Sequence, residues 1–235
     1  MTYEEVLNSL KEMGSEQTKK TYLRHGVQEP FYGVKIGDMK KLVKTVKKDQ
    51  ELALSLYESG VYDAMYLAGL TVNPQSMTKE RLQDWVGKAY WYALAEYTVA
   101  GVTGESPHAR ELAMEWIEAP EEMIATCGWS VYANYVSITP DEQLDIAEIR
   151  GLLERVRRTI HTERNRVRYT MNGFVISVGA YYDGLREEAK EIAEEIGKVH
   201  VDMGDTACKV PMAYDYIRKI EESGRAGIKK KTCIC

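Results

Sequence analysis

The chain lacks the features that mark several large classes of protein. Its four cysteines, Cys127, Cys208, Cys233 and Cys235, are scattered except for the last two, which excludes a disulfide-stapled scaffold and reads as reduced thiols. Its four histidines, His25, His108, His161 and His200, form no HExxH array and stand at no ligand spacing from the cysteines, so no metal centre is expected. No GxGxxG follows a strand and no GxxxxGKS/T occurs; GRAGIKKKT near the end has glycines and a Lys-Thr pair at the wrong spacing, so no cofactor is expected either. No apolar run approaches a membrane span. The charged, amphipathic start MTYEEVLNSLKEMG lacks the basic-then-apolar order of a secretory signal, and the expected location is cytoplasmic. The terminal Cys-Ile-Cys does not place a cysteine fourth from the end, as a prenylation signal would, and reads as an exposed, disordered end.

Alternation of the strand type is almost absent too. Only Lys198 to Met203 (KVHVDM) shows it, over a stretch short enough to be a loop. Apolar residues elsewhere recur at helical spacing, as Tyr3, Val6, Leu7 and Leu10 do, with Gly14 to end that helix and Ser15 to cap the next. Asp38 reads as the cap of a helix burying Met39, Leu42, Val43 and Val46. Ser106-Pro107 and Thr139-Pro140 read as helix starts with proline in the first turn. Ten or so helices joined by brief turns predict an all-α fold of stacked hairpins, whose lengths of roughly 35 to 45 residues match HEAT and armadillo repeats. One repeat domain is expected over 1–222, followed by a basic, flexible tail over 223–235.

The net charge is −5, so any polyanion must meet a patch and not the whole surface. One candidate patch is plain. Between Arg150 and Arg168 lie seven arginines, including Arg157, Arg158, Arg164, Arg166 and Arg168, with only Glu154 and Glu163 against them. In an unbroken helix Arg157, His161, Arg164 and Arg168 would line one stripe, the footprint of a phosphate-backbone contact. The other reading is a solvated helix face whose arginines pair with the many glutamates nearby.

A carboxylate candidate lies earlier. In KAYWYALAEYTVAG, Tyr92 and Glu96 share a helix face with Trp91 beside it. A carboxylate held against aromatic rings can stabilise a developing cation, such as the oxocarbenium sugar formed when a base leaves DNA; alternatively Glu96 is a partly exposed helix residue and Trp91 core. Trp129 and Tyr132 read either as core or as groove-lining. Asn165, Arg166, Arg168 and Asn172 crowd one helix start, where Arg168 and Asn172 can equally be structural cross-links. The turn from Val201 to Pro211 offers Asp202, Asp205, Thr206 and Lys209, with Asp205 or Thr206 as a cap for the final helix.

The run FYGVKIGDMKKLVK (Phe31 to Lys44), LALSLYESGVYDAMYLAG, LQDWVGKAYWYALAEYTVA and NGFVISVGAY resemble the DNA alkylation repair family of HEAT-like repeat proteins, the AlkD-like alkylpurine DNA glycosylases, from about Tyr3 to Ile196. The resemblance implies a right-handed α-α superhelix with a concave, basic, DNA-binding face and metal-free excision of N3- or N7-alkylated purines. It places the family's two aromatic site positions on Trp91 and Phe174. The family's aspartate falls near Ala95-Glu96, so Glu96 is the candidate acid one position away, and the family's arginine falls near Thr126 and is not matched. The expected catalytic set is Glu96, Trp91 and Phe174; the expected DNA contacts are Arg157, Arg158, Arg164, Arg166, Arg168 and Lys209; Tyr92, Trp129 and Asn172 are groove candidates. The partner is duplex DNA, alkylated in the enzyme reading. A non-catalytic DNA-binding or protein-scaffold repeat protein is the alternative.

Overall fold

The computed structural model describes residues 1–234, and among them every regular element is helical. Thirteen α-helices follow one another: α1 (Tyr3–Met13), α2 (Glu16–Arg24), α3 (Ile36–Val46), α4 (Gln50–Glu58), α5 (Tyr62–Thr71), α6 (Lys79–Lys88), α7 (Ala100–Gly104), α8 (Ala109–Ile117), α9 (Glu122–Ile138), α10 (Ile146–Thr159), α11 (Asn165–Tyr181), α12 (Arg186–Ile196) and α13 (Ala213–Glu222). A π-helical turn, Leu94–Val99, leads into α7. No helix among the described residues is long and apolar enough to cross a membrane.

Five of these thirteen helix starts are capped by side chains. Thr2 and Glu5 form a reciprocal box on α1, and Ser15, Asp49, Thr78 and Asp145 accept first-turn N–H groups on α2, α4, α6 and α10. Asp38 is not a cap. Helix α3 begins two residues earlier, after Lys35, and Asp38 sits in its first turn, paired with Lys41 at 2.7 Å. The final helix likewise starts later than Asp205 or Thr206 would place it, after Met212; Thr206 instead donates to the Met203 carbonyl.

The helices stack in two layers. Helix α5 buries Tyr62 to Gly69 and Thr71, and α9 and α11 are apolar on most sides, as inner helices must be. Neighbours in this layer run α3, α5, the π turn with α7, α9, α11 and α13. Gly128 lets α9 lie close on α8, since a Cβ there would come 2.6 Å from the Ile117 nitrogen. Helices α4, α6, α8, α10 and α12 are amphipathic and form the outer layer. Ion pairs one hairpin apart lace it together: Lys88 to Glu58, Lys79 to Glu111, Arg110 to Glu148, Arg150 to Glu188 and Arg157 to Glu195, with separations of 30 to 38 residues. Exposed pairs of this kind contribute about 0–1 kcal/mol each. Their role is to set register between repeats.

That lacing corrects the expected arginine stripe. Helix α10 stops at Thr159 and α11 begins at Asn165, so Arg157, His161, Arg164 and Arg168 do not share one continuous face. Arg155 pairs with Glu118, and Arg157 pairs with Glu154 as well as Glu195. Arg158 reaches back to the Glu154 carbonyl, and Arg164 donates to the carbonyls of Ala119 and Pro120, closing the end of α8. These arginines join helices, which is the solvated-face reading of the same residues.

The C-terminal tail is held and not loose over its described length. Gly227 N–H donates to the Ala180 carbonyl, Lys230 N–H to Ser137, and Cys233 N–H to the Glu105 carboxylate, while Lys229 Nζ bonds the Val136 carbonyl and pairs with Asp141. The segment runs back over the ends of α11 and α9 to α7. Cys235, part of the end expected to be disordered, lies outside the described residues.

Candidate functional site

The π turn aims the Glu96 carboxyl inward. A π turn holds more residues than an α turn, and here Glu96 is buried while the next residue, Tyr97, is exposed. The carboxyl meets Arg166, which enters from the first turn of α11, 70 residues further on. Arg166 Nε donates to Oε1 at 2.7 Å and Nη2 to Oε2 at 2.6 Å, the two-pronged geometry that suits guanidinium to carboxylate. The guanidinium carbon lies 4.1 Å from the Tyr92 ring centre and 4.4 Å from that of Tyr169. Glu122 fixes the start of α11 by accepting the Arg166 backbone N–H at 2.6 Å.

Burial pushes the Glu96 carboxyl up from its ordinary 4.5 to about 7, with the charge and hydrogen bonds of Arg166 opposing the shift. The sign of the pH effect follows. An unfolded chain loses this proton near its ordinary value, whereas the folded one keeps it until about 7, so stability from this group is full at low pH and declines as pH rises between the two. The melting temperature of the native protein, relative to that of Glu96→Gln, is expected to fall over that window in a calorimetric series. A constant difference across it would contradict the assignment.

Beside the pair opens an aromatic cavity of about 420 Å³, with Tyr22, Tyr62, Tyr66, Trp91, Tyr97 and Tyr169 among its walls. Its rings brace one another: Tyr22 and Trp91 both pack on Tyr62, the latter edge-on with centres 4.7 Å apart, and Trp91 lies 5.0 Å from Tyr92. Trp91 is anchored by its Nε1–H, which donates to the His25 carbonyl at 2.9 Å, and His25 Nδ1 is hydrogen-bonded to the Tyr92 hydroxyl at 3.0 Å. A second cavity, of about 550 Å³, shares His25, Tyr92, Arg166 and Met203 and opens toward Arg24 and Asp205. Lys209 and Cys208 border the first.

The structure therefore brings together Trp91, Tyr92, Glu96, Arg166 and Lys209. It does not bring Phe174 to them. Phe174 is fully buried on α11, packed on Trp129 and Tyr132 with ring centres 5.3 and 5.7 Å away, and both partners are themselves core. Helical periodicity turns that face of α11 toward α9, which corrects the expectations for Phe174 and Trp129 together. Asn172 is also interior; its side chain donates to the Pro211 carbonyl at 3.0 Å and ties α11 to the approach of α13. Arg168 lies beside Asn165, whose side-chain oxygen is 3.4 Å from its Nη2. Thr126 is buried in α9. The guanidinium next to the acid comes instead from Arg166.

His25, Tyr22, Tyr62, Tyr66, Tyr97 and Tyr169 were not singled out as one site from the sequence, although tyrosine's abundance, 16 residues, was a signal in plain view. Among the described residues no three His, Cys, Asp or Glu side chains are placed to hold a metal ion.

Two layers of hairpins linked by repeat-spaced ion pairs, with the cleft on inner-layer helices, define a HEAT-like α-α superhelical repeat protein. The chain belongs to the DNA alkylation repair enzyme family, which it matches over residues 6–195. It is 36% identical over 225 residues to an uncharacterised protein of Listeria monocytogenes and equally to one of Listeria innocua, covering 93% of this chain and 97% of each relative. A solved structure from a new family of proteins related to the HEAT-like repeat DNA glycosylases with affinity for branched DNA structures superposes with a TM-score of 0.90, at 37% identity and covering 98% of both chains.

Proposed function

We propose that this protein binds DNA at branch points and does not excise alkylated bases. The observation that carries the reading is the closed Glu96–Arg166 pair. Metal-free excision of N3- or N7-alkylated purines needs a carboxylate facing the sugar on which positive charge develops. Both oxygens of Glu96 instead face a guanidinium that already supplies the opposing charge. The second aromatic position of a glycosylase site is also spoken for, because Phe174 is sealed in the core.

Binding is supported differently. The relative of the same fold over the whole chain has affinity for branched DNA structures. Arg24 and Lys209, at the cavity rims, are exposed and form no ion pair with a described residue, so they are available to phosphates. In this reading the phosphate contacts are Arg24 and Lys209, which share the rim with Asp202 and Asp205.

The test pairs two assays. Titration of a labelled three-way junction against a linear duplex of equal length and composition is expected to show at least about tenfold tighter junction binding, weakening steeply with salt. Incubation with globally methylated duplex is expected to release no 7-methylguanine or 3-methyladenine above the heat-controlled background. Release that disappears in Glu96→Gln would restore the glycosylase reading.

A further inference from the structure

We infer that the aromatic cavity is a receptor for one unpaired nucleobase, drawn out of its stack where DNA arms meet. The inference rests on the branch-binding reading above and names what the cleft takes. Its volume of about 420 Å³ falls in the usual range of small-molecule sites, on the order of 300–1,000 Å³. Its walls offer ring faces and edges, and Tyr97, half exposed at the mouth, is a platform on which an entering base can stack.

Arg166 is among the polar residues that line the cavity. The Arg166 side chain is nine-tenths buried, and its Nε and Nη2 are committed to Glu96. Among the described residues Nη1 has the Met203 sulfur as its hydrogen-bond acceptor, at 3.5 Å, and a thioether is a weak acceptor. A buried N–H group so poorly matched gains most from a ligand oxygen or ring nitrogen. The charge of Glu96 offsets that of the guanidinium, so a phosphate entering here would lose its water against aromatic walls for little net attraction. A neutral base loses far less water. It gains stacking and one hydrogen bond, most directly through a carbonyl oxygen such as guanine O6, while Arg24 and Lys209 outside are suited to its backbone.

The test uses a three-way junction with one unpaired guanosine at the branch and a matched junction in which that nucleotide is an abasic tetrahydrofuran spacer. The base is expected to tighten binding by about 5- to 100-fold, the worth of one stacked base. In Tyr97→Ala, which removes an exposed ring and leaves the core intact, the difference between the two junctions is expected to shrink severalfold. Equal affinity of the native protein for both junctions, with preference over linear duplex retained, would overturn the receptor and leave branch binding standing. Equal affinity for junctions and linear duplex would overturn both.

Discussion

Replacing Glu96 with leucine is expected to cost about 3–5 kcal/mol of unfolding free energy at pH 8, and adding Arg166→Met to return most of it. The single change strands a guanidinium that is nine-tenths buried and that cannot shed its proton. Arg166→Met alone is expected to cost less, because the carboxyl left behind can become neutral; burial already pushes it up to about 7 with Arg166 present. The asymmetry should narrow the gap between Arg166→Met and the native protein as pH falls, and widen the gap between Glu96→Leu and the native protein, because the leucine variant has no carboxyl to take up the proton. Urea unfolding of the four proteins of this double-mutant cycle, at pH 8 and near pH 5, measures all of it. Additive costs would show that the two side chains do not act as a pair.

The fold was legible in the sequence because helical signals are local. Ser15 caps α2, and apolar spacing marks Val6 and Leu10 as core, without reference to anything distant. The site was only half legible. Trp91, Tyr92 and Glu96 are near one another in the chain, so their cluster could be read; that Arg166 closes on Glu96 depends on how α11 stacks beside the π turn, 70 residues away. The arginine stretch misled for the same reason. Seven like charges in one segment read as a patch until the glutamates Glu118, Glu188 and Glu195, contributed by α8's end and α12, are set against them. In a repeat fold, charge balance is struck between neighbouring hairpins, and a window along the chain cannot see it.

The loop between α2 and α3 makes the same point about a residue that the sequence left unremarked, Asp63. Asp63→Ala is expected to destabilise the protein by about 3–5 kcal/mol and to loosen the base-binding cleft with it. The side chain is fully buried in α5, and its two oxygens accept the backbone N–H groups of Tyr32, Gly33 and Val34, the last at 2.7 Å. Burial pushes its carboxyl up and those N–H groups hold it back. Removing it leaves buried donors without an acceptor, at about 1–3 kcal/mol each. The loop is also held by the Tyr22 hydroxyl, which donates to the Val34 carbonyl at 2.7 Å, and by the Ser15 and Tyr62 N–H groups, which donate to the carbonyls of Gly33 and Pro30; Gly33 has φ +76°, and a side chain there would collide with Lys19. At the loop's start stands His25, whose carbonyl anchors Trp91 and whose ring holds the Tyr92 hydroxyl. Asp63→Asn, which keeps one oxygen acceptor, is expected to lose less than Asp63→Ala. Hydrogen exchange at the Tyr32 and Val34 amides should rise in both variants before global unfolding, and junction affinity should fall in the same order as stability. Intact amide protection in Asp63→Ala would mean that the loop is held by something other than this carboxylate, and that the cleft's anchor lies elsewhere.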